Sequence, residues 1–562
     1  MSLQVWMFIA FCAPIVAFAL FAFARTPGPS STEGREFLND FLTTSSSSQA
    51  GAVGASTVAY MLQISTTFYF VYWGYKYGLG NIFYVISWAI GIWWFGSCSR
   101  QLLSTRENFE TLAHFLSGGN GKAVRAGVGS LFCLFFLGLL YVETLFAADF
   151  LSSLFTASNQ SHTSVLWWIF FVLLLVSVAS YSFIGGMRKV IETDRYQLSI
   201  AYVGFAIVFA YLVPMATAAN LPTGVLLWAF AVLIYWFIQS KMQGDPYTRV
   251  VRHALWLSLL ILIGSLIVAS PWNSPQDFFQ PLKVGGFSSQ LTEEWGWVTL
   301  LVFSAVNILW QFGDASNYQR ISCLQLDSQS SEQERATEIQ RYLSKITVVA
   351  PLTWGFGILM GMLLAATGII QAADGSEYST FLKNLAEGVV EGDLGRIVVT
   401  ASFAITISVV MLSTADSALL AYLQAAIQDS PYGARANVGT IVVFALLAIL
   451  GVLGIAVAHK AFDQVHVFTI VGTFNSFVLL MSIPALAKQL GIGSCNAGSN
   501  SGLWVTLCLG IPCIVVATFW PFSPLPLNVA AVLPYCGALV GAGFGLMVSL
   551  ASGRSSSPSK PA

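Results

Sequence analysis

Val410-Met411-Leu412-Ser413-Thr414-Ala415-Asp416-Ser417 lies near the middle of an apolar run, residues 397–427, that is long enough to cross a bilayer. Two adjacent hydroxyls, a carboxylate and a third hydroxyl therefore sit at membrane depth. In hydrocarbon each such group costs several kcal/mol unless it finds a partner. On a helix, Ser413, Asp416 and Ser417 share one face, and Thr414 turns about 100° away from Ser413. A cluster of hard oxygens suits a small hard cation such as sodium. The alternative is hydroxyls bonded back to their own helix, which the buried acid beside them makes the weaker reading.

The rest of the chain has the same character. Of 562 residues, 56% are apolar and 9% are charged, against roughly 25% charged in an ordinary soluble protein. The chain reads as an all-α polytopic membrane protein embedded in a lipid bilayer. Its net charge of −1 gives no sign of nucleic-acid binding. Eight single cysteines and five histidines form no metal-binding spacing. No soluble stretch is long enough for a catalytic domain, so an enzyme is the least favoured class.

Fifteen apolar runs can span. They cover residues 4–24, 52–73, 79–96, 126–155, 165–184, 196–218, 224–239, 254–269, 297–312, 346–370, 397–427, 438–458, 465–486, 503–520 and 529–550. The first lacks a basic flank and reads as a retained helix rather than a signal peptide. The runs 224–239 and 254–269 are short enough to form an interfacial pair instead. With an outside N-terminus, twenty Lys and Arg fall inside and five outside. The positive-inside rule then gives a cytoplasmic C-terminus in a multi-pass protein of the plasma membrane. The soluble segments are a serine run at 45–48, a polar stretch at 324–341 expected to form a cytoplasmic helix, an acidic loop at 374–393 and a Ser/Pro tail from Arg554. Asn159-Gln160-Ser161 is a sequon in an expected outer loop.

Three further polar groups lie within spans. Glu143 sits past the middle of 126–155 and is either a substrate-orienting carboxylate or an acid bonded between helices. Tyr60, Gln63, Ser65, Thr66 and Thr67 give the second span a polar middle, which suits a locally unwound helix lining a cavity. Asn307, Trp310 and Gln311 end the span 297–312, where an amide beside an aromatic plate can grip a small polar solute.

Four motifs together resemble the sodium/solute symporter family of sodium-coupled sugar, proline, pantothenate and urea carriers. They are Asp40-Phe41-Leu42 with Ala52-Val53-Gly54-Ala55-Ser56, then Tyr181 through Val190 with Thr193-Asp194 and Gln197, then Asn307 to Gln319-Arg320, and finally Ser413 to Ser417 with Asp429. The resemblance implies a LeuT-type fold, an inverted repeat of two five-helix units. It divides the chain into a first helix and loop at 1–51, repeats at 52–218 and 297–486, an inserted hairpin and outer loop at 219–296, and C-terminal helices with a short tail at 487–562. It implies a main sodium held by the carbonyls of Ala59, Leu62 and Val410 with the hydroxyls of Ser413 and Thr414. A second sodium would use Asp194, Asp416 and Ser417. By the same resemblance Asn307 would contact the solute and Trp310 would stand where an aromatic gate sits; Tyr60, Gln63, Glu143 and Gln311 join them as candidate solute groups from their own polarity at membrane depth.

The chain departs from the family where Thr43-Thr44-Ser45-Ser46 replaces the usual Ala-Gly-Arg, and in lacking the sugar-binding Glu/Gln pair on the first core helix. Sugar is therefore disfavoured. The expected activity is sodium-coupled uptake of a small polar organic solute by alternating access, acting as a monomer. The other classes are a transporter-like sensor, a sodium or solute channel, and a proton-coupled carrier.

Overall fold

The computed structural model describes residues 3–24, 41–42, 50–77, 82–104, 111–117, 121–153, 155, 164–217, 289–323, 394–430, 437–461, 467–490, 492, 498–519 and 527–554, with a discontinuous set between 333 and 361. The short runs 224–239 and 254–269, the serine run, the sequon, the acidic loop and the tail beyond Arg554 lie outside the described residues, as does most of 324–341.

Every element among the described residues is a helix. In chain order they are α1 Leu3–Ala24, α2 Ala50–Met61, α3 Ile64–Tyr77, α4 Ile82–Ser104, α5 Leu112–Ser117, α6 Lys122–Ser153, α7 Val165–Thr217, α8 Ser289–Gly313, α9 Ala315–Ser322, α10 Leu394–Gln428, α11 Val438–Ala461, α12 Val467–Gln489, α13 Gly498–Phe519 and α14 Leu527–Arg554. Among the described residues, eight helical stretches are long and apolar enough to cross a membrane. Twelve of the fifteen expected spans coincide with described helices, and 346–370 is described only as far as Gly361.

Burial sorts the helices as their sequences require. The helix carrying the opening motif, α10, is 94% buried across its apolar window, whereas α11, apolar all round, is 28% buried. A helix with no polar face and little protein cover faces lipid, since lipid tails are as apolar as its leucines. The deeply buried helix carries the polar groups, where neighbouring helices can satisfy them.

Three departures from a plain bundle place the site. First, the polar middle of the second span interrupts it: α2 stops at Met61, Leu62 and Gln63 leave the helix, and α3 resumes at Ile64. Second, the span 297–312 does not end at Phe312. The chain breaks at Asp314 and continues as α9, whose residues Ser316 to Ile321 are buried. Asp314 caps that helix, accepting from the Ser316 amide at 2.9 Å. Third, 165–184 and 196–218 are not separated by a loop. They run through as α7 with a kink at Gly186, φ 58 and ψ −165.

That backbone conformation is essentially reserved for glycine, and a Cβ at Gly186 would lie 2.5 Å from the Phe41 carbonyl oxygen. Gly186→Ala is therefore expected to cost about 2–4 kcal/mol, from backbone strain plus overpacking. An unfolding temperature equal to that of the unaltered protein would refute this account. Elsewhere glycine serves close packing: Cβ atoms at Gly74 and Gly361 would meet the carbonyls of Ile358 and Val71 at 2.2 and 2.0 Å. These glycines let α3 and the helical residues before Gly361 approach backbone to backbone.

Candidate ion and solute site

The break in α2/α3 exposes backbone groups that other helices then satisfy. Glu143 of α6 reaches the start of α3, accepting from the amides of Ile64 at 2.7 Å and Ser65 at 3.3 Å and from the Ser65 hydroxyl at 2.5 Å. The first amides of a helix have no partner within it, and here a carboxylate from 78–79 residues away fills the gap. Trp354 donates its indole N–H to the Met61 carbonyl at 3.1 Å. The Thr67 hydroxyl donates to the Leu62 carbonyl at 2.6 Å. From α10, the Thr414 hydroxyl donates to the Tyr60 carbonyl at 3.3 Å.

The remaining oxygens of the opening motif turn elsewhere. Asp194 of α7 accepts from Ser413 at 2.6 Å and from Ser56 of α2 at 2.5 Å. Arg320 of α9 enters the same region, fully buried. Its Nε donates to Ser56 at 3.3 Å and its Nη2 to Ser417 at 2.7 Å, and its guanidinium lies 4.6 Å from the Tyr60 ring centroid. Asp416 is fully buried, and neither of its carboxyl oxygens makes a hydrogen bond. Four helices thus bring two carboxyl groups and one guanidinium together out of contact with solvent. Asp314, also buried, lies within electrostatic range of the same guanidinium.

Beside the break lies a cavity of about 180 Å³. Gln63, Ser65 and Thr66 form its wall at the break, and Asn307 and Trp310 line it from α8. Trp354, whose N–H holds the Met61 carbonyl, lines it too. Trp310 donates to Asp314 at 3.3 Å, tying the cavity wall to the second helix break.

Of the six residues expected to meet solute, Gln63, Asn307 and Trp310 line this cavity. Glu143 is wholly buried behind it on the α3 amides. Tyr60 faces Arg320, and Gln311 accepts from the Asn317 amide of α9 at 3.1 Å. Of the expected main-sodium groups, Thr414 is at the break, on the carbonyl of Tyr60. Ala59 and Leu62 flank that carbonyl, and Val410 is one turn earlier on α10. Ser413 is turned to Asp194.

Sequence reasoning missed the weight of Arg320, which the charge count placed in an inside loop. Its signal was a lone arginine closing a short polar stretch directly behind an apolar span. It also missed Ser56, Trp88, Trp354, Asn475 and Tyr535, which are ordinary residues of apolar runs until the helices pack. Asp429, at the far end of α10, is paired with Arg125 of α6 at 2.8 Å and accepts from Thr111 at 2.5 Å. Burial pushes its carboxyl up to about 6, with Thr111 and Arg125 opposing the shift.

No protein-family profile matches the sequence, and no curated protein matches it. Solved structures do. A Na+-coupled sialic acid symporter, in a substrate-bound outward-open state, matches with a TM-score of 0.57 at 14% identity, over 100% of this chain and 99% of that one. A manganese transporter of Eremococcus coleocola matches at 0.46 and 14% identity, over 94% of this chain and 98% of the other. Mhp1, a nucleobase-cation-symport-1 family transporter, matches at 0.44 and 13%, over 94% and 95%. At 14% identity the first of these likenesses speaks for the fold alone. Among its described residues the chain is an all-helical, multi-pass membrane protein whose fold is similar to that of a Na+-coupled symporter.

Proposed function

We propose that this protein is a secondary transporter of the sodium/solute symporter type, coupling sodium entry to uptake of a small polar organic solute by alternating access. The observation that carries the reading is the Thr414 hydroxyl at 3.3 Å from the Tyr60 carbonyl, where α2 stops. A hard oxygen on an unbroken buried helix there meets a backbone carbonyl at the end of a broken one, which supports a sodium ion taking the place of these hydrogen bonds between the two helices. Ala59, Leu62, Val410, Ser413 and Thr414 form the proposed main site.

Sodium bridging α2 to α10 favours the outward-open state. Solute in the cavity beside Gln63 and Asn307 then closes it under Trp310. The two core repeats, 52–218 and 297–486, rock about the site, and release follows toward the cytoplasm past Asp194. The N-terminus lies outside and the C-terminus inside. Each sodium moved inward through 100 mV yields about 2.3 kcal/mol.

Asp194, Asp416 and Ser417 were the expected second sodium site. Arg320 already supplies one fixed positive charge there, on Ser417. The carboxyl of Asp416, without a hydrogen-bond partner, supports a second reading in which the coupled cation is a proton. Liposomes separate the two. Uptake driven by a sodium gradient at equal pH supports sodium coupling, and uptake driven only by a proton gradient replaces it. Thr414→Ala is expected to weaken sodium about tenfold or more, through loss of one ligand, with the solute-binding cavity intact. An unchanged sodium dependence of uptake in that variant would overturn the assignment.

A further inference from the structure

Asp314 stands in the break between α8 and α9, inside the apolar stretch Trp297–Ser322, and is 1% exposed. Its two carboxyl oxygens have different partners. Oδ1 accepts from the Ser316 amide at 2.9 Å and caps α9, while Oδ2 accepts from the Trp310 indole N–H at 3.3 Å. A cap needs one acceptor, which serine, threonine or asparagine supplies without burying an acid. An acid at membrane depth is costly and is kept where it is used. The oxygen that a simpler cap would lack is the one that holds Trp310, and Trp310 lines the cavity.

The other arm of the bend leads to the buried charges. Arg320 lies six positions beyond Asp314, about 9 Å along α9. It donates to Ser56 and Ser417 and lies on the Tyr60 ring, and Thr414 donates to the Tyr60 carbonyl. Contacts therefore run without a gap from the cavity wall at Trp310 to the proposed sodium site. The bend is strapped so that it moves as one piece. Tyr318 donates to the Phe312 carbonyl at 2.9 Å, and Asn317 to the Gln311 side-chain oxygen at 3.1 Å, so α9 is tied back onto the end of α8. At Gly313 the chain lies flush against α12, where a Cβ would fall 2.2 Å from the Val478 carbonyl oxygen. A strapped bend resting on a bare point of contact acts as a lever: a shift of Trp310 on one arm is carried to Arg320 on the other.

We propose that Asp314 is the positioning residue that couples the cavity to the ion site, by locking Trp310 to the helix that carries Arg320. The proposal rests on the transport reading above. By linkage, a cation that biases the Arg320 arm biases the Trp310 arm by the same free energy, so the cation alone serves as the probe. Thr66, on the cavity wall, is replaced by cysteine in the full-length protein in detergent. Its rate of modification by methanethiosulfonate ethylammonium is measured in sodium and in potassium, relative to a free peptide cysteine. Peptide mass spectrometry reads the one site, so the native cysteines do not enter.

Sodium is expected to change that rate about fivefold or more. Asp314→Asn keeps the cap but turns an amide N–H toward the indole N–H. Trp310→Phe removes the same hydrogen bond from the other side and leaves the Asp314 charge in place. Each should cut the sodium effect to less than about twofold, and the two together should cut it no further than either alone. Sodium should still raise the unfolding temperature of both variants as it does in the unaltered protein, which shows that the ion site is intact. A full sodium effect on the cavity in either variant overturns the proposal and leaves the sodium-coupled reading standing. So does loss of sodium stabilisation together with the cavity effect, which makes Asp314 a structural cap only. An effect of pH instead of sodium, lost in both variants, keeps Asp314 as the coupling residue and removes the sodium-coupled reading. No effect of either cation on the cavity of the unaltered protein overturns both.

Discussion

Replacing Arg320 by alanine is expected to cost about 3–5 kcal/mol of folding stability, the range for removing one partner from a buried charged cluster. The guanidinium is fully buried and joins α9 to Ser56 on α2 and Ser417 on α10. It is also the positive charge beside Asp194 and Asp416, both fully buried. Without it, Asp194 and Asp416 are left buried without that countercharge. The check is thermal unfolding in detergent, with sodium varied. Arg320→Ala should unfold at a markedly lower temperature and gain more from added sodium than the unaltered protein does. Arg320→Lys keeps the charge but reaches only one of the two hydroxyls, because a lysine is a point donor and the guanidinium a fork, so it should fall between them. Adding Asp416→Asn to Arg320→Ala should recover part of the loss, since it removes one of the stranded charges. A deficit below about 1 kcal/mol in Arg320→Ala would show that the cluster does not depend on its guanidinium.

The second large effect is expected at Glu143. Its carboxyl closes the start of α3 with three hydrogen bonds. Hydrogen bonds to an ionised group contribute about 1.5–3 kcal/mol each, and orphaned buried donors cost about 1–3 kcal/mol. Glu143→Ala leaves the Ile64 and Ser65 amides without that partner, and a loss of about 3 kcal/mol is expected. Glu143→Gln keeps one acceptor and should lose less. Transport should fall with stability in the same order, because the break is where the proposed ion and solute sites meet. The contrast to look for is with Gln63, which lines the cavity. Gln63→Ala should change solute affinity with little change in unfolding temperature. If Glu143→Ala instead unfolds at the normal temperature and shifts only solute affinity, Glu143 is a solute ligand and not a helix cap.

Much of this arrangement was legible from local chemistry. A run of hydroxyls and amides in the second span marked the place where the helix stops, because a lipid-facing helix could not carry them. The residues of the opening motif divided as a 3.6-residue repeat requires: Ser413 and Ser417 on the side of Asp194 and Arg320, and Thr414 on the side of Tyr60. Gln63 and the Asn307–Trp310 pair were singled out on separate spans, and the structure brings them to one cavity. Other features were misread for a physical reason. Arg188, Lys189 and Arg195 suggested a loop, yet one glycine with φ 58 suffices to turn α7 while it stays helical. Arg320 looked like a loop cation because a charge after an apolar run usually marks the membrane surface.

Sequence alone determined which segments are helices in lipid, where one of them cannot continue, and which buried oxygens seek partners. These depend on composition and on a period of a few residues. Which partner each group finds depends on contacts between segments far apart in the chain, and no local pattern encodes them. Tertiary structure alone decided that Glu143 caps α3 from another helix, that Trp354 holds the Met61 carbonyl from 293 positions away, and that Arg320 comes to lie beside two buried acids. Each follows from the same cause: a polar group removed from water must be satisfied, and the packing of distant helices determines by whom.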